Sequence, residues 1–456
     1  MCLIPFSGIS QNFDLNGKWL GKLEIQGTSL RIVFNIKSEN GQFSTTMDSP
    51  DQFVNGIPME STVFEKGILK ISSSTMNAFF EGKLNDSNTA FIGLWHQSGM
   101  KLDLSLRKTE VAIVYNRPQT PVKPYPYTEK EVEFSNLKVG ITLRGTFTYP
   151  EQKEAFPAVV LISGSGPQNR DEELLGHKPF LILADYLTRN GFGVLRFDDR
   201  GTFASEGDFS KATSMDFADD VAAAVEFLKA QKNVIKDRIG LIGHSEGGLI
   251  APMVSAQMPE IYFIVLLAGP GTTGKEILID QTQLILQANG GKKHYIDRII
   301  EQNTKYYDMV IGSKNIEKTK KKIYKEIKKS LKGDKTIKPE VAENQAKAQA
   351  EMICSPWFRF FLTYDPKTVL NKVKCHVLVL NGSLDLQVPA QKNVFFIINT
   401  LAESGNENTE SKIFPGLNHL FQTATTGSPN EYGRIEETIA PEVLEYMKSW
   451  LMMKVK

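Results

Sequence analysis

A serine between two glycines lies where an apolar strand is expected to turn into a helix. Residues 238–251 read RIGLIGHSEGGLIA, so Ser245 is flanked by Gly243 and Gly247. A tight strand-to-helix turn exposes the serine hydroxyl, and glycines on both sides remove side chains that would collide across it. The N-terminus of the following helix can also stabilise negative charge. The pattern therefore predicts Ser245 as the nucleophile of an acyl-transfer reaction.

The base and the acid that such a serine needs can be assigned from chain order. A serine hydroxyl is a weak nucleophile, and it requires a histidine that a carboxylate orients. Where the serine stands on a strand-to-helix turn, the acid and then the histidine follow it in the chain. Of the six histidines, His419 is the one that comes after both Ser245 and a late acid. Asp385 follows an apolar run at 376–380 and is the predicted acid, because its competitor Asp365 precedes that run.

Two backbone N–H groups are expected to hold the oxyanion that forms when the serine attacks. One should belong to Glu246, directly after the nucleophile. The other should come from the loop at 163–166 (SGSG), which follows the apolar run 158–162. We place this donor at Ser165, with Gly166 as the alternative, because the glycines let the backbone approach a substrate closely.

Three polar features near these residues have less defined roles. The run Asp198–Gly201 (DDRG) is predicted to be a structural turn with an internal ion pair. The side chain of Glu246 could contact substrate or pair with a base, and His177 could line the mouth of the pocket.

Apolar strands and amphipathic helices alternate from residue 128 onward, with a break in the middle. The predicted strands are 131–134, 141–149, 158–162, 193–197, 238–242, 262–267, 376–380 and 411–414, and the predicted helices are 179–188, 215–230, 249–257 and 441–453. This alternation is typical of a mostly parallel sheet with helices on both faces.

The break falls at about 271–365, where the sequence is helical and lysine-rich. Ile323, Ile327 and Leu331 recur every four residues among eleven lysines between Lys314 and Lys338. The spacing predicts an amphipathic helix with a solvated outer face, and contact with an acidic partner or a membrane surface is the alternative. Because the segment separates two sheet strands, we expect it to form a lid over the active site.

A separate antiparallel β domain is predicted for residues 12–115. Short alternating runs at 19–25, 30–36, 43–47, 67–72, 78–84, 89–95 and 101–106 are separated by polar turns, which is typical of a barrel or sandwich. The opening Asn16–Trp19 (NGKW) resembles the start of lipocalin-like barrels. Four prolines at 116–127 predict a stiff linker to the following domain.

Composition and termini limit the class of protein. The chain has 456 residues, 41% hydrophobic and 23% charged, with a net charge of +1, so no basic excess points to nucleic acid. No apolar run is long enough to predict a membrane-spanning helix. Residues 1–11 resemble the end of a signal peptide, which predicts a periplasmic or secreted protein, with a cytoplasmic one as the alternative. Three cysteines show no metal-type spacing, and Cys354 and Cys375 could pair after export or remain buried thiols.

Together these motifs resemble bacterial α/β-hydrolase esterases related to dienelactone hydrolases and to the prolyl-oligopeptidase catalytic domain. The resemblance covers about 127–456 and rests on VLISGSGPQNRD at 160–171, GHKPFLILADY at 176–186, LRFDDRG at 195–201, GHSEGG at 243–248, and the late Asp and His. It implies an α/β-hydrolase fold with a helical lid insertion, preceded by a small antiparallel barrel-like domain. It also implies a triad at Ser245, Asp385 and His419, carboxylic ester substrates, and no cofactor or metal.

The predicted activity is hydrolysis of small to medium esters through an acyl-enzyme. A serine peptidase of prolyl-oligopeptidase type, cleaving short peptides with the same triad, is the first alternative. Those enzymes usually carry a propeller before the catalytic domain, and the N-terminal segment here is too short for one. The second alternative, from a different class, is a ligand-binding protein with an idle hydrolase scaffold.

Overall fold

The computed structural model describes residues 13–25, 28–39, 42–50, 54–74, 76–97, 100–110, 116–151, 153–332 and 339–455. The chain divides into two units, Met1–Tyr115 and Asn116–Lys456. The predicted signal-peptide remnant at 1–11 lies outside the described residues. No helix within the described ranges is both long and apolar enough to cross a membrane.

The described part of the N-terminal unit is an antiparallel sheet of nine strands. They are β1 (Gly17–Ile25), β2 (Thr28–Glu39), β3 (Gln42–Ser49), β4 (Val54–Met59), β5 (Ser61–Glu65), β6 (Ile68–Ser73), β7 (Ala78–Leu84), β8 (Ala90–Gln97) and β9 (Met100–Thr109), in the order β4-β3-β2-β1-β9-β8-β7-β6-β5. The two ends of the sheet come close together: Thr62 Oγ1 on the edge strand β5 donates to Thr45 Oγ1 on β3, the neighbour of the other edge strand, at 2.8 Å. The sheet is therefore nearly barrel-shaped, as predicted.

Alternating side chains fill the inside of this sheet. The buried set includes Trp19, Phe34, Phe80, Phe91 and Trp95, which come from four different strands. His96, the one histidine in the sequence of residues 1–115, stacks on Phe79 with ring centroids 4.2 Å apart. The N-terminal unit thus has its own aromatic core.

The second unit contains an eight-stranded mixed sheet among its described residues. Its strands are β10 (Thr128–Asn136), β11 (Ile141–Tyr149), β12 (Phe156–Ile162), β13 (Gly193–Phe197), β14 (Val234–His244), β15 (Phe263–Leu267), β16 (His376–Gly382) and β17 (Thr409–Phe414), in the order β10-β11-β13-β12-β14-β15-β16-β17. β11 pairs antiparallel with both neighbours, and the other pairs are parallel. This is the α/β-hydrolase fold that the sequence predicts.

Helices cover both faces of this sheet. They are α1 (Pro179–Arg189), α2 (Ser214–Lys229), α3 (Glu246–Gln257), α10 (Ala390–Glu403) and α11 (Pro441–Lys454). On β12, Val160 and Ile162 pack with residues of α2, α3 and α10, whereas Val159 and Leu161 pack with residues of α1 and α11. A central strand with both faces covered has no polar side, which explains its uninterrupted apolar sequence.

A helical insertion at 274–363 separates β15 from β16. It consists of α4 (Gly274–Ala288), α5 (Lys293–Ile311), α6 (Ile316–Lys332), α7 (Pro339–Ile353) and α8 (Pro356–Thr363), and the short α9 (Lys367–Leu370) follows it. On α6, Ile323 and Ile327 are buried in the core of the insertion, and lysines such as Lys320 and Lys328 form surface ion pairs. The predicted amphipathic helix is therefore present.

The two late cysteines do not pair. Cys354 is a buried free thiol within the core of the insertion, and the free thiol of Cys375 lies 3.2 Å from Ser255 Oγ. Of the two alternatives that the sequence left open, the structure has free thiols and not a disulfide, because the two thiols lie in separate cores.

Candidate active site

The turn at Ser245 has the backbone strain that the sequence suggests. β14 ends at His244 and α3 begins at Glu246, which leaves Ser245 between them with φ 52° and ψ −115°. A positive φ is unfavourable for a residue with a side chain, and it persists where the surroundings impose it. A Cβ at Gly243 would lie 2.0 Å from the carbonyl oxygen of Gly247, and a Cβ at Gly247 would lie 2.1 Å from that of Ile162. Both glycines are therefore required by close backbone approaches.

Alanine at position 243 is expected to destabilise the protein. Its methyl group would overlap backbone atoms of Gly247, which cannot move without displacing α3. We expect the free energy of unfolding, measured by urea titration, to fall by about 3 kcal/mol or more. Gly312→Ala is the matched control, because Gly312 has φ −79° and its new Cβ would lie 3.3 Å from the nearest atom. A loss below about 1 kcal/mol for Gly243→Ala would contradict the assignment of the turn.

His419 and Asp385 lie together at the carboxyl edge of the sheet. Asp385 follows β16 and His419 follows β17, and parallel neighbouring strands bring such residues to one edge. The Nδ1 of His419 lies 2.8 Å from Oδ2 of Asp385, and both residues are buried. The other carboxylate oxygen, Oδ1, accepts the backbone N–H groups of Gln387 and Val388, each at 2.8 Å. The carboxylate is thus held from both sides.

Ser245 borders two cavities. The first, called here the histidine cleft, has a volume of about 100 Å³ and is lined by residues that include Ser165, Gln168, His177, Ser245, Gln387 and His419. The second, called here the apolar pocket, is smaller, at about 60 Å³, and is lined by residues that include Ser245, Pro270, Ile277, Leu278, Trp357 and Phe361. The last four of these come from the helical insertion, which therefore forms a wall of the site.

The loop at 163–166 borders the same two cavities. Ser165 lines both cavities together with Ser245. The N–H of Gly164 is already donated to Glu172 Oε1 at 2.7 Å, so it is not free for a substrate. Asp199 supports the loop by accepting from Ser163 Oγ at 2.8 Å and from the N–H of Gln168 at 2.9 Å. Burial, together with the nearby carboxylates, raises the pKa of Asp199 to about 8.

The predicted ion pair within the run Asp198–Gly201 is wrong. Asp198 pairs with Arg170 at 2.8 Å, and Arg200 pairs with Asp220 at 2.6 Å. The two side chains find partners on separate elements, because each is buried next to an opposite charge that is distant in the sequence.

Among the described residues, the side chain of Glu246 is hydrogen-bonded to no base. Its Oε1 accepts the hydroxyl of Ser214 at 2.6 Å and the indole N–H of Trp357 at 2.7 Å. Burial raises the pKa of this carboxyl above its usual value. Since Trp357 belongs to α8, the hydrogen bond connects the helical insertion to the residue that follows Ser245. Sequence reasoning missed Trp357, because its partner is 111 positions away.

Two further histidines surround the site. His177, as anticipated, lines the histidine cleft, with Nδ1 2.7 Å from Thr438 Oγ1 and Nε2 2.9 Å from the carbonyl of Tyr432. Burial lowers the pKa of His177 to about 4, so its ring is neutral at pH 7. His244, which sequence reasoning passed over, lies between Glu172 and the backbone of His419.

The sequence of the second unit matches the model of a known protein family. Residues 140–414, more than half of the chain, match the model of the X-Pro dipeptidyl-peptidase (S15) family. The chain belongs to the S15 family. It is accordingly a serine hydrolase.

Individual relatives of this S15-family chain carry different names. Esterase EstD of Thermotoga maritima is 26% identical over 331 residues, which cover 72% of this chain and 69% of EstD. Dipeptidyl peptidase 8 of Mus musculus is 29% identical over 160 residues, or 33% of this chain and 18% of that protein. Among solved structures, the Pyrococcus furiosus esterase PF2001 covers 72% of this chain and 90% of its own, with 17% identity and a TM-score of 0.43.

Proposed function

We propose that the protein is a carboxylesterase that acts through Ser245, His419 and Asp385. The observation that carries the proposal is the histidine cleft, where Ser245 and His419 face one cavity while His419 Nδ1 is hydrogen-bonded to a buried carboxylate. A serine that shares a cavity with a carboxylate-oriented histidine has the groups needed to activate its hydroxyl, which supports the proposal. The relation to esterase EstD supports an ester as the substrate.

The proposed reaction has two steps. His419 Nε2 takes the proton of Ser245 as the hydroxyl oxygen attacks the ester carbonyl, and Asp385 stabilises the imidazolium. The N–H groups of Glu246 and Ser165 hold the oxyanion, and each is worth about 3 kcal/mol of transition-state stabilisation. His419 then protonates the departing alcohol. A water molecule, deprotonated by His419, attacks the acyl-enzyme and releases the acid and Ser245.

The two cavities suggest how an ester would lie. The alcohol must leave next to His419, which protonates it, so the alcohol belongs in the histidine cleft. The acyl group then occupies the apolar pocket, whose wall of Ile277, Leu278, Trp357 and Phe361 suits a short hydrocarbon chain. In this proposal the helical insertion is the lid that limits acyl length.

A second candidate is a peptidase, because the family model that matches is described as an X-Pro dipeptidyl-peptidase. A panel of p-nitrophenyl esters from acetate to palmitate, assayed beside aminoacyl and prolyl p-nitroanilides, separates the two. Turnover of short esters without anilide cleavage supports the esterase. Preferred anilide cleavage would make the protein a peptidase, and no turnover together with no fluorophosphonate labelling would leave a binding protein.

Trp357→Ala is expected to shift the preferred ester toward longer acyl chains. Removing the indole enlarges the apolar pocket, and each additional methylene that it buries contributes about 0.8 kcal/mol, or roughly fourfold in kcat/KM. The measurement is kcat/KM across the ester panel. Trp357→Phe is the control, because it removes the hydrogen bond to Glu246 but keeps most of the wall. An unchanged chain-length profile for Trp357→Ala would place the acyl group elsewhere.

A further inference from the structure

A buried ion pair lies directly behind the proposed base. Nδ1 of His244 is 2.9 Å from Glu172 Oε1, and Nε2 of His244 is 3.1 Å from the carbonyl oxygen of His419. The rings of His244 and His419 are in contact, with centroids 4.9 Å apart. Both His244 and Glu172 are buried, at 8% and 5% exposure. Glu172 and His244 are therefore connected to the proposed base through the backbone carbonyl of His419.

The partners of His244 determine its protonation state. A carbonyl oxygen only accepts, so Nε2 carries a proton, and Nδ1 donates to the Glu172 carboxylate, which also accepts the N–H of Gly164. When the Glu172 carboxyl is ionised, both ring nitrogens donate and His244 is an imidazolium. Burial alone would lower the pKa of His244, but the charge and hydrogen bond of Glu172, the carbonyl of His419 and the charge of Asp385 outweigh it and raise the pKa.

The backbone of Glu172 is strained at this position. Its φ is +50°, in the left-handed region that favours glycine. Strain of this kind costs about 1–3 kcal/mol and persists where the surroundings hold it, often next to a functional site. Here the strain accompanies a carboxylate that is hydrogen-bonded to two groups. One is the N–H of Gly164 in the loop at 163–166, called here the oxyanion loop, and the other is Nδ1 of His244.

We propose that Glu172 and His244 are positioning residues that hold the base and the oxyanion loop at a fixed separation. The path runs from the N–H of Gly164 to Glu172, from Glu172 to His244, and from His244 to the carbonyl of His419. Gly164 is next to Ser165, the proposed oxyanion donor. The inference rests on the proposed roles of His419 and Ser165.

Loss of this link, the hydrogen-bonded path from Gly164 through Glu172 and His244 to the carbonyl of His419, should lower kcat and leave KM nearly unchanged. Both side chains line the histidine cleft, but neither is assigned a bond to substrate. A displacement of about 1 Å between reacting groups can nevertheless cost on the order of 100-fold in rate. In Glu172→Gln the amide can still accept from Gly164, but the charge that keeps His244 protonated is gone. A neutral His244 has a single N–H, so one of its two hydrogen bonds is lost.

The same argument predicts a change in the pH profile. Three titratable groups face His244. Glu172 comes from the loop before α1, and Asp385 and His419 come from the loops after β16 and β17. A fourth group, His177, lines the same cleft. As pH rises through the pKa of His244, the link breaks and kcat falls. Because Glu172 raises that pKa, Glu172→Gln should move the alkaline fall of kcat to lower pH.

The test measures kcat and KM for p-nitrophenyl acetate between pH 6 and pH 10, with thermal melting to monitor folding. Glu172→Gln is expected to lower kcat about 10- to 100-fold, to leave KM within about twofold, and to shift the alkaline limb to lower pH. Glu173→Gln is the matched control, because Glu173 is a surface neighbour that pairs with Lys178. A folded Glu172→Gln variant with wild-type kcat and an unmoved alkaline limb would overturn the proposal.

His244→Asn provides a second variant in case Glu172→Gln does not fold. The asparagine amide nitrogen can take the place of Nδ1 and keep the bond to Glu172, but it cannot reach the carbonyl of His419. A similar loss of kcat is expected, and wild-type kcat would overturn the proposal. Ser245→Ala is assayed in parallel. If that variant kept more than about 1% of wild-type kcat, the proposed function would be refuted, whereas a Ser245→Ala variant below that level beside a fully active Glu172→Gln would refute the positioning role alone.

Discussion

Replacing Ser245 by alanine is expected to lower kcat for p-nitrophenyl acetate by about 10⁴-fold or more. In the proposed reaction the hydroxyl oxygen of Ser245 forms the bond to the acyl group, and no other group described at the carboxyl edge replaces it. What activity remains would come from water attacking a substrate whose oxyanion is held by backbone N–H groups, which the substitution leaves in place. The measurement is steady-state hydrolysis, with intact-mass detection of fluorophosphonate labelling as a second readout.

Ser449→Ala is the control for this prediction. Ser449 is an exposed residue of α11, remote in sequence from the nucleophile, and its loss should leave both rate and labelling unchanged. A Ser245→Ala enzyme that keeps more than about 1% of wild-type kcat, or that still takes up one phosphonyl group, would show that another residue is the nucleophile.

The elements that sequence analysis predicted best are those whose patterns are local. The strand at 193–197 and the strand at 141–149 have the predicted bounds, because apolar runs and turn residues mark both ends. The turn at Ser245 was predicted for the same reason, since the glycines that permit it lie within two residues. Chain order then indicated Asp385 and His419 without any knowledge of distances.

Elements with mixed signals were missed. β4 contains Gly56 and Pro58, which weaken a strand signal, but a proline is tolerated at the edge of a sheet, where β4 lies. α10 includes VFFII at 394–398, a run with the composition of a strand. Tertiary packing decides its state: Val394 and Ile397 are buried against the sheet, while Phe395 and Phe396 are exposed.

The polar network around the site could not be predicted from the sequence, because its members are far apart along the chain. His244 is 72 residues from Glu172 and 175 from His419, and no spacing rule connects them. Its position beside Ser245 was the one available signal, and it did not reveal a partner. Contacts of this kind depend on which loops converge at the carboxyl edge of the sheet.

Asp385→Asn is expected to lower kcat by about 10⁴-fold while leaving the fold intact. The reason lies in the two N–H groups, of Gln387 and Val388, that donate to Oδ1 of Asp385. An asparagine must keep its oxygen on that side, because an amide NH₂ cannot accept these bonds. Its NH₂ group then faces Nδ1 of His419 and donates to it. The histidine is left with its proton on Nε2, the nitrogen that accepts the proton of Ser245 in the proposed reaction.

Asp365→Asn is the matched control, because Asp365 is the competing acid from the sequence and its carboxylate accepts the N–H of Lys367 outside the site. Its kcat should stay close to that of the wild type. The comparison uses steady-state kinetics on p-nitrophenyl acetate, with thermal melting to verify that both variants fold. If Asp385→Asn kept more than about a tenth of wild-type kcat, the histidine tautomer would not limit the rate. A carboxylate other than Asp385 would then have to orient His419. If Asp365→Asn were the damaging substitution, the acid would precede β16, and the loop after that strand would have no part in the reaction.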